Sequence, residues 1–311
     1  MRPSGSRPRS LPWAIAALAA AAPVSCTGKT LALGSNVWRP YHFEVPQLVT
    51  ELRSDNRTDN PTLTADLLEI YFTTDRGGGS GDVWFARRSD VAHPFSAPAP
   101  VTEVNSSTFE TSSAISADGL TLWFGSDRTG TTDIWVSSRA SRNSPWVSPA
   151  NVVALNTTAE DIPRPPGQHG LVMPLSSKTA MAAVYQTFFA ARSSDGAPFG
   201  APVLVSELAF PDRSTVDGFL SDDGLTLFYS SALLQAPADA AAPDGGTPTA
   251  DLYVAYRRSI GDTFEQTLPL VELNTPGDER DPWLTPDGKT LYFTSDRDGA
   301  LNIYTAAVQP R

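Results

Sequence analysis

One phrase returns along this chain at an interval of about fifty residues, and it narrows the possible folds more than any other feature. It reads LEIYFTTDRGGGSGDVWFARRS at 68–89, LTLWFGSDRTGTTDIWVSSRAS at 120–141 and KTLYFTSDRDGALNIYTAA at 289–307. A partial copy crosses 225–259 and a degenerate one crosses 171–194. Glu51 to Arg76, Glu103 to Arg128 and Glu272 to Arg297 span the same interval without gaps. Repetition on this scale marks a propeller or solenoid, whose units cannot bury their apolar faces without neighbours.

The local chemistry of a unit reads as strands. Ala117-Asp118-Gly119, Asp222-Asp223-Gly224 and Pro286-Asp287-Gly288 are turn signals. There the Asp side chain bonds nearby backbone and Gly supplies a positive φ. An alternating run follows, such as Thr290-Leu291-Tyr292-Phe293-Thr294, with the period of two expected of a strand. Ser-Asp-Arg-x-Gly then closes a hairpin. A second strand rich in β-branched and aromatic residues comes next, as in Asp133-Ile134-Trp135-Val136. Each unit ends in a polar turn, an aromatic residue, a proline and a short apolar strand, Phe95…Val101 in the first and Trp146…Val152 in the second.

Four short antiparallel strands per unit, five times over, predict an all-β five-bladed propeller over 37–311. The inner three strands of the blades are expected near 56–91, 108–142, 159–195, 212–259 and 278–308. The fifth unit stops after its third strand, at Val308, while Phe43–Thr50 carries the outer-strand pattern ahead of the first unit. The N-terminal strand is therefore expected to complete the last blade and shut the ring. The alternative is a loose leader over 37–50. The stretch between Leu233 and Ala250, rich in Ala, Pro, Asp and Gly, lengthens one hairpin and reads as a surface loop.

The first 25 residues differ in kind. Arg2, Arg7 and Arg9 precede the apolar run Leu11–Ala22, the layout of an export signal, and the run is short for a membrane span. Losing this segment takes the formal charge from −11 to −14. Nucleic acid, which requires a basic footprint, is thereby disfavoured as a partner. Cys26 is the sole cysteine, so an internal disulfide is impossible. Its context, AAPVSC, resembles a bacterial lipoprotein cleavage site. That resemblance implies lipidation of Cys26, a short tether over 26–36, and placement in the periplasm or on the outer membrane with the lipid as the only membrane contact. Ordinary cleavage after the alanine-rich stretch is the other reading.

The pattern DG-x-T-L-Y-F-x-S-D-R-x-G-x-x-D-I-Y resembles the WD40-like propeller repeat of the TolB type. The likeness is fullest from Asp287-Gly288 to Tyr304, strong in units one and two, partial in unit four and weak in unit three. It implies a propeller acting as a binding platform in the bacterial cell envelope; the chain is expected to be a monomer with an envelope protein or peptide as partner and no cofactor.

Three sets of residues invite functional readings. Asp75-Arg76, Asp127-Arg128 and Asp296-Arg297 recur with the repeat, which argues for a structural job. Trp84, Trp135, Tyr253 and Tyr304 share one position and suit packing between blades. Glu110, Glu160 and Glu279 align at one repeat position just before the innermost strand, with Asp217 and Asp281 two residues further on in their units. In a propeller this puts them round one mouth of the axial channel, as a ring able to draw a cation or cationic peptide. The same position also suits the capping of backbone amides at strand starts. Trp283, on the innermost strand of the last unit, is a candidate ligand contact. His42, His93 and His169 lack metal-ligand spacing, and no nucleophile elbow or phosphate loop is present. A non-catalytic binding propeller is the leading expectation. The alternative is a glycosidase-like propeller using the channel-mouth carboxylates.

Overall fold

The alternating runs become strands in the computed structural model, which describes residues 41–178, 184–234 and 249–309. The signal segment, Cys26 and its tether lie outside the described residues, as does most of the insertion between Leu233 and Ala250. A latch of two short strands, β1 (His42–Phe43) and β2 (Gln47–Leu48), precedes the first blade. Blade one is β3 (Thr58–Leu63), β4 (Glu69–Thr74), β5 (Asp82–Arg87) and β6 (Ala99–Pro100). Blade two is β7 (Glu110–Ile115), β8 (Thr121–Ser126), β9 (Asp133–Ser138) and β10 (Ala150–Asn151). Blade three is β11 (Glu160–Pro163), β12 (Val172–Lys178), β13 (Gln186–Ala191) and β14 (Val203–Leu204). Blade four is β15 (Arg213–Leu220), β16 (Thr226–Leu233), β17 (Ala250–Tyr256) and β18 (Gln266–Pro269). Blade five is β19 (Glu279–Leu284), β20 (Thr290–Ser295) and β21 (Asn302–Gln309), to which the latch adds. The fold is therefore an all-β five-bladed propeller of antiparallel blades.

Ring closure follows the sequence expectation. β1 pairs β21 through His42↔Gln309 and Phe43↔Val308, and β2 pairs it through Gln47↔Thr305 and Leu48↔Tyr304. Glu272, from the turn after blade four, accepts the Phe43 amide at 2.7 Å, and Phe43 packs into the core between blades four and five. Radial closure leaves only short edges open to solvent.

The repeated motifs hold the blades together. Trp84, Trp135, Tyr253 and Tyr304 lie directly across from Phe72, Phe124, Tyr229 and Phe293 on the neighbouring strand. The guanidinium of Arg128 lies 4.7 Å from the Trp135 ring centre and Arg297 lies 5.0 Å from that of Tyr304. Arg128 Nη2 also donates to the Val104 carbonyl at 2.6 Å, and Arg297 Nη2 to that of Leu273 at 2.7 Å. Those carbonyls belong to the chain that crosses from one blade to the next. The Asp-Gly turns form as expected: Asp118 Oδ1 accepts the Leu120 amide at 2.9 Å and Gly119 takes φ +76°.

Candidate functional site

Each innermost strand runs from one mouth of the axial channel to the other, so residues at equal repeat positions form layers around the axis. The first layer is the strand start. Glu110 and Glu279 sit there fully buried. Glu110 Oε1 accepts from the hydroxyls of Ser106 at 2.6 Å and Ser126 at 2.7 Å, and Oε2 accepts the Ser106 amide at 2.9 Å. Glu279 does the same with Thr275 and Ser295. Their ion partners are Arg128 at 3.1 Å and Arg297 at 3.5 Å. These carboxylates cap the turn entering the strand and fasten the arginine of their own hairpin. Neither presents an oxygen to solvent at the channel mouth.

Unit three corrects the sequence register by one residue. The position aligned with Glu110 is Asp161, not Glu160. Asp161 pairs with Ser177 and takes both the amide and the hydroxyl of Thr157, four residues upstream, as Glu110 does with Ser106. Glu160 stands one residue nearer the strand-start mouth, half-buried, where the Tyr185 hydroxyl donates to it. This mouth is charged: Arg57 Nε lies 3.5 Å from Asp59, and Arg280 Nη2 lies 2.7 Å from Asp278.

The next layer is the waist. Asn60, Ser112, Asp217 and Asp281 occupy one position, and all four have φ between 50° and 59°. Each marks a bulge in the pairing of the two inner strands. Among residues with a side chain, left-handed backbone is least costly for Asn and Asp, which explains the residue types at three of these four places. The fifth blade position at this level is Pro163, whose ring fixes φ near −65° and forbids the bulge; β11 accordingly pairs with β12 without a shift. The bulged amides bond around the ring from blade to blade. Asn60 N donates to Asp281 Oδ2 at 3.1 Å, Asp281 N to Ser230 Oγ at 3.2 Å and Asp217 N to Ser176 Oγ at 3.3 Å.

Arg164, which the sequence reading missed, crosses this layer. It is the largest fully buried side chain among the described residues. Its Nη1 donates to Asn60 Oδ1 at 3.2 Å and to Asp281 Oδ1 at 3.4 Å, and Nη2 to the Pro282 carbonyl at 3.5 Å. Burial pushes the Asp217 carboxyl up to about 7; the Asp281 charge adds to the rise, while Arg164 and Arg280 oppose it. Burial likewise raises Asp59 to about 6, against the pull of Arg57.

Beyond the waist the channel opens into a cavity of about 340 Å³ at the strand-end mouth. Leu63, Ile115, Pro166, Leu220 and Leu284 line it, one from each blade at the same repeat position, which places it on the axis. Phe219, Trp283 and Pro165 complete the apolar wall, and Asp222, Asp223 and Asp287 reach its rim. Trp283 meets Phe219 edge-on, with ring centres 6.0 Å apart. Tyr41, ahead of the latch, also borders the cavity. The wall after Arg164 comes so close to blade four that a Cβ on Gly167 would lie 2.2 Å from the Leu220 carbonyl oxygen. Of the sequence candidates, Trp283 therefore lines a cavity, Asp217 and Asp281 meet at the waist, Glu160 is at the opposite mouth, and Glu110 and Glu279 are locked inside their blades. Among the described residues no cluster of His, Cys, Asp and Glu has metal-site geometry.

No protein-family model matches the chain, and no curated protein sequence matches it. Solved structures do. The catalytic domain of a GH62 α-L-arabinofuranosidase from Coprinopsis cinerea superposes with a TM-score of 0.51 at 10% identity, covering 87% of this chain and 97% of that one. TolB from Acinetobacter baumannii gives a TM-score of 0.49 at 15% identity over 83% of this chain and 56% of that one. A thermostable family-43 glycoside hydrolase gives 0.49 at 11% identity, with 83% and 91% covered. Likeness at such identities bears on the fold alone, and the arabinofuranosidase match agrees with the propeller described above.

Proposed function

We propose that this chain is a non-catalytic binding propeller of the bacterial cell envelope, which takes an apolar part of a partner protein or peptide into the axial cavity. One observation carries the reading: all five blades contribute an apolar residue at the same position to one concave site, with Trp283 and Phe219 beside them. Concave, mostly apolar sites with a few polar groups at the rim are where ligands gain most from desolvation. Aromatic side chains in such places dominate binding energy. The export-signal pattern and the context of Cys26 support a lipid-anchored location, which labelling with a palmitate analogue tests by comparing wild type with Cys26→Ala.

The binding reading is tested by placing a photo-crosslinking amino acid at Phe219 in cells. An adduct with one envelope protein, lost when Trp283→Ala is added, is the expected result. Adducts no different from those at Val153, an exposed control on the outer surface, would overturn it.

A second reading, a carbohydrate-active propeller, has one observation in its favour. Asp217, held near 7 beside Asp281, has the raised pKa that glycoside hydrolysis asks of its acid. Both carboxyls are almost fully buried and Arg164 lies against Asp281, which weighs against their flanking a sugar. Hydrolysis of a polysaccharide by the wild type, lost in Asp217→Asn, would put this reading first.

A further inference from the structure

Charge is shared unequally along the channel from the strand-start mouth to the waist. Arg57 lies by Asp59, Arg280 by Asp278 and Arg164 by Asp281. Asp217, only 5% exposed, has no cation within ion-pair distance among the described residues. The groups acting on it come from several elements. Blade five presents Asp281 and Arg280, the segment after β11 presents Arg164, and β16 offers the Ser230 hydroxyl. On the blade-one side Asp59, with Arg57 beside it, feels the same Asp281 charge. Blade two contributes the uncharged Ser112.

Arg164 is held loosely for a buried cation. Its three hydrogen bonds are between 3.2 and 3.5 Å, and its Nε has no acceptor. It sits in the run Pro163-Arg164-Pro165-Pro166, where three prolines restrict the backbone so that a shift of the arginine carries its neighbours with it. Pro165 and Pro166 are cavity wall. A buried carboxylate without a counter-ion is costly, and the nearest remedy is a guanidinium with a free donor.

We propose that the waist is a proton-operated switch: with Asp217 protonated Arg164 rests on Asn60, Asp281 and Pro282, and when Asp217 ionises Arg164 turns towards it and moves the Pro165-Pro166 wall of the axial cavity. Acidity near neutral fits this role, because both forms are then populated within a physiological range. The switch borders the proposed binding site but requires no ligand, so its failure and that of the binding reading are separable.

The test is a titration of the ligand-free protein between roughly pH 5 and 9, a window spanning the raised carboxyl, followed by tryptophan emission. Trp283→Phe serves as the difference reference. A reversible change in Trp283 emission centred near neutral is expected, and its loss in Asp217→Asn with the fold retained by circular dichroism. Asp217→Ser replaces that variant if the asparagine form does not fold. A flat wild-type response overturns the proposal, as does a transition that persists without the Asp217 carboxyl. His169 lies on the segment that follows the cavity wall and His42 on the latch. A transition abolished by His169→Gln or His42→Gln overturns it too.

Discussion

Replacing Glu110 with alanine distinguishes a carboxylate that builds the blade from one that receives a ligand. The side chain is fully buried and accepts four hydrogen bonds, from the Ser106 amide and hydroxyl, the Ser126 hydroxyl and Arg128. Hydrogen bonds to a charged group contribute about 1.5–3 kcal/mol each, but they do not simply add once one acceptor serves them all. Ser106 and Arg128 regain some water in the variant, whereas Ser126 is fully buried. Breaking a buried charge pair by removing one member costs about 3–5 kcal/mol, and that is the expected loss. In a domain of this size it lowers the melting temperature by roughly 6–20 °C. Glu110→Gln retains an acceptor and loses the charge, for about 1–2 kcal/mol. Glu110→Thr copies blade one, where Thr58 meets Thr74 at 3.1 Å and Arg76 at 3.4 Å, and should fall between the two. Thermal melts followed by circular dichroism measure all three. An alanine variant that melts within about 2 °C of wild type, a shift worth less than ~1 kcal/mol, would refute the structural role.

Other perturbations probe the waist and the latch. Arg164→Met leaves Asp281 buried without its cation and should cost about 3–5 kcal/mol in a urea melt, whereas an unchanged midpoint would show that the arginine adds nothing net. Phe43→Ala hollows the packing between blades four and five and should cost about 3–5 kcal/mol; a loss under ~1 kcal/mol would mean that the N-terminal strand decorates the ring without closing it. Because the folded Asp217 carboxyl is raised to about 7, the native state binds more protons than the unfolded chain above the ordinary carboxylate range. The stability it confers is present in acid and lost as pH rises through about 7, and Asp217→Asn should flatten that decline in denaturation midpoints measured across the range.

The architecture was legible because its signals are local and repeated. Asp-Gly turns, alternating strands and Ser-Asp-Arg hairpins each have one strongly favoured geometry, and their even spacing leaves a ring as the consistent solution. The latch was legible for the same reason, as an outer-strand pattern found at the wrong end of the chain. The strand-start carboxylates were legible as a position but not as a role. Nothing in the residue type separates a glutamate facing a channel from one folded back on its own turn. The signal that does so is the hydroxyl four residues upstream: Ser106 before Glu110 and Thr275 before Glu279. Thr157 before Asp161 completes the series, and would have set the unit-three register that the adjacent Glu160 obscured. Matching by residue type failed there because aspartate, one methylene shorter, does the work of glutamate.

Divergence in unit three is also where the channel acquires its character. In four blades a left-handed residue at the waist makes a bulge, and three of the bulged amides bond to neighbouring blades. Pro163 cannot take that conformation, so β11 stays in register and the next residue, Arg164, enters the axis instead. One proline thus exchanges a backbone device for a buried cation, and Asp217 and Asp281 can stand together at the waist because that cation is there. The two prolines that follow carry the chain into the cavity wall, and Gly167 lets it press against blade four. The repeat supplies a symmetric scaffold with an apolar mouth. The departure from the repeat supplies the asymmetry, and a ring of identical blades would have had neither the arginine nor the surplus carboxyl whose proton it answers.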